Sequence, residues 1–174
     1  MLKKSYLYQS QIVPLLCEAS IEEKNKYYAE WFWTLDYENN YDEFEEQSFV
    51  SIDRYENIVG FIHCKVNRGV HGIRNLSIIR FNNDHKYNIL FAKDIKKFFD
   101  LMFKFYNYNK ISFEICVDSP YEKMYDKFSK KYGGRVVGIK KNEFLTLDGE
   151  IHDLKLYEIM QEDYLRKMKF RKVK

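Results

Sequence analysis

Leu76-Ser77-Ile78-Ile79-Arg80-Phe81 is a short apolar run that opens the stretch deciding the fold, residues 76–134. A polar segment without proline or glycine follows, Asn82-Asn83-Asp84-His85-Lys86-Tyr87-Asn88. From Ile89 onward, Ile95, Phe98, Phe99, Met102, Phe103 and Tyr106 recur at the spacing of an amphipathic helix with one broad apolar face. Ile111, Phe113, Ile115 and Val117 then alternate with Ser112, Glu114 and Cys116, the period of a strand. Ser119-Pro120-Tyr121-Glu122 carries the signature of a capped helix start, and Tyr121, Met124, Tyr125, Phe128 and Tyr132 form one face of a helix that stops at Gly133-Gly134. Two strands joined by one crossover helix are expected to lie parallel, with a ligand crevice at their carboxyl ends. Function is therefore expected where residues 80–93 meet residues 117–125.

Working outward, residues 47–53 and 58–66 are apolar and β-branched and read as an antiparallel hairpin, to which residues 73–81 add a third strand. On the amino-terminal side, residues 3–13 are expected to form a first strand ended by Pro14. Ser20-Ile21-Glu22-Glu23 predicts a helix over residues 21–35. The acidic, aromatic segment 36–46, with Asp36, Tyr37 and Glu38, is either a solvated acidic helix or the lining of a pocket for a cationic substrate. Beyond Gly134, residues 135–139 and 151–160 read as two closing strands around the turn Leu147-Asp148-Gly149-Glu150. The expected architecture is α/β: a mixed, mostly antiparallel sheet with one parallel βαβ pair and helices on both faces.

The chain of 174 residues suits one domain with a basic tail at about 165–174. That tail is expected to be solvated or to touch an anionic surface. No apolar run approaches the ~20 residues of a membrane span, so no membrane partner and a cytoplasmic location are expected. The net charge of +3 does not call for nucleic acid, which is not expected as a partner. Cys17, Cys64 and Cys116 are scattered and read as buried reduced thiols, with no metal site. No phosphate-binding glycine loop, zinc motif or nucleophilic triad occurs, and His63, between apolar neighbours in a strand, reads as a core histidine.

The element order, with Asp118-Ser119-Pro120, Tyr125-Asp126-Lys127-Phe128, Gly133-Gly134-Arg135-Val136-Val137-Gly138, Asp148-Gly149-Glu150-Ile151-His152-Asp153 and Tyr157-Glu158-Ile159, resembles the GNAT superfamily of CoA-dependent N-acyltransferases. The resemblance covers residues 50–164. It implies a direct attack of a primary amine, on a small molecule or a protein, upon the thioester of acetyl-CoA. Carried over by position, Tyr125 becomes the general acid to the leaving thiolate and Asp118 takes the place of the family's asparagine. Ile78, Ile79 and Arg80 would hold the pantetheine arm through their backbone. Lys86, Asn88, Ala92 and Lys93, at the start of the long helix, would face the diphosphate, and Asp36, Tyr37 and Glu38 would shape the acceptor pocket. Glu114 is the candidate base, with a solvated or ion-paired role as the other reading. A homodimer is left open. The family's glycines before the long helix are missing here, so the alternative implied is a GNAT-fold binding module without turnover.

Overall fold

In the computed structural model, residues 1–22, 26–27, 44–81, 84–146 and 148–171 are described. Among the described residues seven strands form one sheet: β1 (Leu2–Lys4), β2 (Glu46–Ile52), β3 (Ile58–Asn67), β4 (Gly72–Arg80), β5 (Lys110–Cys116), β6 (Arg135–Leu145) and β7 (Ile151–Met160), in the order β1-β2-β3-β4-β5-β7-β6. Every neighbouring pair is antiparallel except β4 with β5. Alternate residues of the central strands feed two cores, as a strand's period of two requires. Val50, Ile52, Phe61 and Ile79 pack against Ile12, Leu16 and Ala19 of α1 (Gln9–Ser20). Phe49, Ile62, Cys64, Ile78, Phe113 and Ile115 belong to the larger core on the opposite face, with α2 (His85–Asp100), α3 (Glu122–Tyr132) and α4 (Gln161–Arg171).

The parallel pair is brief. Its register holds only at Gly72↔Lys110 and Ile73↔Ile111, although the strands are nine and seven residues long. The cause lies one step further along β4. Arg74 and Ser77 pair with Lys65 and His63, so Asn75 and Leu76 together face the single residue Cys64. Asn75 takes a left-handed φ of 52°. Such a bulge bends its strand and tightens its twist, and beyond it β4 stays in register with β3 but no longer with β5. The seam opens on the side where the crevice is expected.

Several expectations change. The first strand covers only Leu2–Lys4, and Pro14 sits inside α1 instead of ending a strand. Proline removes one helical hydrogen bond, but Ile12, Leu16 and Ala19 share a helical face and are almost fully buried, and that packing outweighs the loss. Ser20 closes α1, its hydroxyl donating to the Cys17 carbonyl, and residues 21, 22, 26 and 27 are turn or bend rather than helix. The remainder of the expected 21–35 helix, with Asp36, Tyr37 and Glu38, lies outside the described residues. α2 begins at His85, four residues before Ile89, capped by Asp84. It ends in one π turn, Leu101–Phe105, closed by Tyr106 N–H donating to the Leu101 carbonyl.

Toward the carboxyl end, residues 165–171 of the expected tail belong to α4. α4 buries Tyr164 and Met168, the Tyr164 ring centroid lies 4.9 Å from that of Phe103, and its hydroxyl donates to Asp100 at 2.9 Å. Cys17, Cys64 and Cys116 are free thiols, but Cys17 is exposed, not buried. No described helix is long and apolar enough to cross a membrane.

Candidate active site

A cavity of about 330 Å³ opens where β4 leaves β5. Its floor is β4: Ile78, Ile79 and Arg80. One wall is α2, through Asn88, Phe91, Ala92 and Ile95. The other is α3, through Tyr121, Met124, Tyr125 and Phe128, with Lys131 and Tyr132 one turn further along. The second wall differs from the expected one, since no residue of β5 lines the space. β5 stands behind it, with the Phe113 ring 5.7 Å from Tyr125 and 5.9 Å from Phe128. The volume is at the lower end for ligand sites and the lining is mostly apolar.

Two local features keep this space open. Phe91, only 4% exposed, lies against Gly60, where a Cβ would come within 2.6 Å of the ring and 2.8 Å of the Ile79 carbonyl. The missing side chain of Gly60 thus lets Phe91 sink to the sheet instead of filling the crevice. α3 is held upright from below: Lys155 of β7 bonds Glu122 at 2.9 Å and Asp126 at 2.8 Å, and Tyr157 donates to Asp126 at 2.8 Å. These contacts depress both carboxyl groups below their ordinary range, with the Lys155 hydrogen bond the leading cause in each. Lys155 is raised in return.

The α3 start departs from the expected capping box. Ser119 does not cap it, and its buried hydroxyl has no hydrogen-bond partner among the described residues. Instead Glu122 reaches back and accepts from the Asp118 N–H at 2.9 Å, and Asp118 adopts a left-handed φ of 66°. Asp118 is exposed and does not line the cavity. Tyr125, 2% exposed, does. So does Tyr121, whose phenol is raised by burial first and by Glu22 second, against a smaller opposing effect of Arg80. Sequence reasoning alone does not single out Tyr121, Met124, Phe128, Lys131 or Phe91 as site residues; the tyrosine-bearing face of the α3 pattern is the signal that holds most of them.

Glu114 lies on the face of β5 opposite Phe113 and Ile115, away from this cavity, and its carboxylate is 3.8 Å from Lys140. His63 is fully buried, its Nδ1 2.8 Å from the Ser48 hydroxyl, and burial first and Lys65 second lower its pKa to about 3. It is a neutral core histidine. Burial first and Glu114 second push the Cys116 thiol up to about 12, so it is no thiolate nucleophile. Among the described residues no cluster of metal-ligating side chains occurs.

The apolar part of the cavity fits a pantetheine arm. The phosphate end does not fit a glycine cradle. Asp84 holds the first turn of α2: its carboxylate accepts from the Lys86 N–H at 3.2 Å, and its carbonyl from Tyr87 and Asn88 at 3.0 and 3.1 Å. A helix start normally offers its first N–H groups to an anion; here the Asp84 carboxylate takes the Lys86 N–H and adds a negative charge at that end, while the bonds to its carbonyl are ordinary helical ones. Lys86 and Lys93, one heptad apart, stand roughly 150° round α2 from Asn88, Ala92 and Ile95, and neither lines the cavity. Arg80, donating to Asn88 Oδ1 at 2.6 Å, and Lys131 are the cations on its wall.

No protein-family model and no curated protein matches the chain. Solved structures do. A point mutant of a spermidine N-acetyltransferase from Vibrio cholerae superposes with a TM-score of 0.74 over 97% of this chain and 99% of its own, at 20% identity. A chimeric form of the Vibrio cholerae enzyme gives 0.73 at 23% identity, over 95% and 97%. The same bacterial enzyme in complex with manganese ions gives 0.71 at 19% identity, over 96% and 95%. The bulged β4, its early parting from β5 and the near end-to-end superposition agree: this chain has the GNAT fold.

Proposed function

We propose that the chain is an N-acyltransferase that moves a short acyl group from a pantetheine thioester to a primary amine. Acetyl-CoA is the donor that the family resemblance implies. The observation that carries the proposal is the apolar cavity at the open β4–β5 seam, with the buried Tyr125 phenol in its wall. A thioester bound there would have its carbonyl open to an amine, and the cleft's low polarity would hold bulk water away. Tyr125 supplies the proton to the departing sulfur, whose release limits such a reaction when the thiolate is left bare. Tyr121, one turn earlier at the start of α3, also lines the cavity and is half-buried where Tyr125 is buried.

For the acceptor we propose a polyamine-like cation. The structural neighbours are named as spermidine N-acetyltransferases, and the acidic run around Asp36, Tyr37 and Glu38 supplies the complementary charge in the sequence. Glu114, on the opposite sheet face from the donor cavity, is retained as the group that takes the amine's proton, directly or through water. The test is turnover with spermidine and an acetyl thioester for the native chain and for Tyr125→Phe. Loss of the acid should lower kcat on the order of 10²-fold or more, while Tyr121→Phe should lower it far less. Equal turnover in Tyr125→Phe would remove Tyr125 from the chemistry.

A further inference from the structure

The cavity takes an arm but the helix start beside it already holds a carboxylate, and that disagreement has a consequence for the donor. Free CoA brings a diphosphate to the α2 N-terminus. The Asp84 carboxylate sits there, takes the Lys86 N–H and puts its own negative charge where a phosphate would lie, and no glycine lies in residues 84–93 to let a phosphate close on the backbone. The same arm also occurs on a protein, joined through a single phosphodiester, and that form asks nothing of a diphosphate site.

α3 has the surface such a protein would need. Its two acidic residues, Glu122 and Asp126, are both turned to Lys155 under the helix. Its exposed positions are Lys123, Lys127, Lys130 and Lys131, with Met124 46% exposed among them. Among the described residues none of these four lysines has a carboxylate partner. On α2, by contrast, Lys96 and Lys97 are paired with Asp100 and Asp94. Four lysines without a carboxylate partner are therefore gathered on the exposed face of the helix that walls the cavity, and Lys131 is on the wall itself. Unpaired lysines around an exposed apolar residue complement an acidic helix carrying its own apolar residues.

Resting on the acyl-transfer reading, we propose that the acyl donor is a thioester on the 4′-phosphopantetheine arm of an acidic carrier protein, which docks on the lysine face of α3. The amine nitrogen bonds the acyl carbon and the carbon–sulfur bond breaks. Sulfur leaves with its electron pair and takes a proton from Tyr125, the carrier departs as the free thiol, and the amine's surplus proton goes to Glu114, directly or through water.

The test compares three donors with spermidine as acceptor: acetyl-CoA, S-acetylpantetheine, and a purified acyl carrier protein loaded with acetylphosphopantetheine. The expected result is a kcat/KM at least tenfold higher for the carrier-borne thioester than for acetyl-CoA. The ratio of carrier-borne to free pantetheine thioester should fall at least tenfold in the triple variant Lys123→Glu, Lys127→Glu, Lys130→Glu. Acetyl-CoA equal or superior to the carrier, or a ratio indifferent to the three reversals, overturns the proposal. If no donor reacts, the acyl-transfer reading fails separately. Calorimetry then decides the docking: tighter binding of the carrier with its arm than of the carrier without it sustains the donor assignment, and equal or absent binding removes it.

Discussion

Gly60 and Phe91 show how one absent side chain shapes the site. A Cβ on Gly60 would meet the Phe91 ring at 2.6 Å and the Ile79 backbone at 2.8 Å, so in Gly60→Ala the ring must lift off the sheet. The direction open to it is the cavity it lines. The variant is expected to lose about 1–3 kcal/mol from overpacking and to show a raised KM for any pantetheine thioester, measured by steady-state kinetics beside a denaturation curve. A stability loss with unchanged KM would mean that the ring yields another way. Asp84 makes the opposite kind of prediction. Asp84→Asn keeps a capping side chain but removes a charge facing the place of a diphosphate. Relief of one charge–charge repulsion near 4 Å is worth about 1 kcal/mol even in water, so CoA affinity by calorimetry should rise about fivefold. No tightening would place the phosphates away from α2.

At the scale of the element, α3 depends on the Lys155 network under it. Glu122 and Asp126 have folded pKa values below their ordinary 4.5 and 3.8, because both bond Lys155. The unfolded chain therefore binds more protons in this range, and the network's stabilisation is present above the ordinary values and is lost as pH falls through the depressed ones. Lys155, raised above its ordinary 10.5, contributes below that value and loses its share only in strong alkali. Lys155→Met should thus be less stable at pH 7 and show a flatter decline below about pH 4.5, followed by thermal unfolding across pH; a parallel decline would assign acid sensitivity to other carboxylates. This network was invisible in the sequence, because Glu122 looked like the partner of a serine cap, whereas its carboxylate spans Asp118 N–H and Lys155. The elements that alternation or helical spacing defines, β2 to β5 and the faces of α2 and α3, were legible. α4 was not: its charges hide that Tyr164 and Met168, four apart, are apolar anchors. Of the cavity lining, Ile78 to Arg80, Asn88, Ala92 and Tyr125 are residues to which the family resemblance pointed. The wall formed by Met124 and Lys131 was hidden, because which strand or helix faces β4 depends on the bulge at Asn75.

For the whole molecule, the sheet consists of a β1-to-β4 half and a β5-β7-β6 half that share two register pairs, Gly72↔Lys110 and Ile73↔Ile111. By comparison β2 and β3 hold register along seven pairs, and β5 and β7 along seven. The seam is the place where local opening costs least, since it has the fewest shared strand hydrogen bonds. A ligand in the cavity touches β4 and α2 from one half and α3 from the other, so it replaces the missing ladder as the bridge between them. Saturating S-acetylpantetheine, at about 100 times its Kd, should then add about 2.7 kcal/mol of stability. For a chain of this length that is a Tm rise of roughly 5–10 °C. Because the bridge is local, hydrogen exchange should slow most in β4 beyond Ile73 and in α3, with β1 and β2 little changed. A Tm rise accompanied by uniform protection, or by protection centred on β2 and β3, would locate the thioester outside the seam and take the acyl-transfer proposal with it.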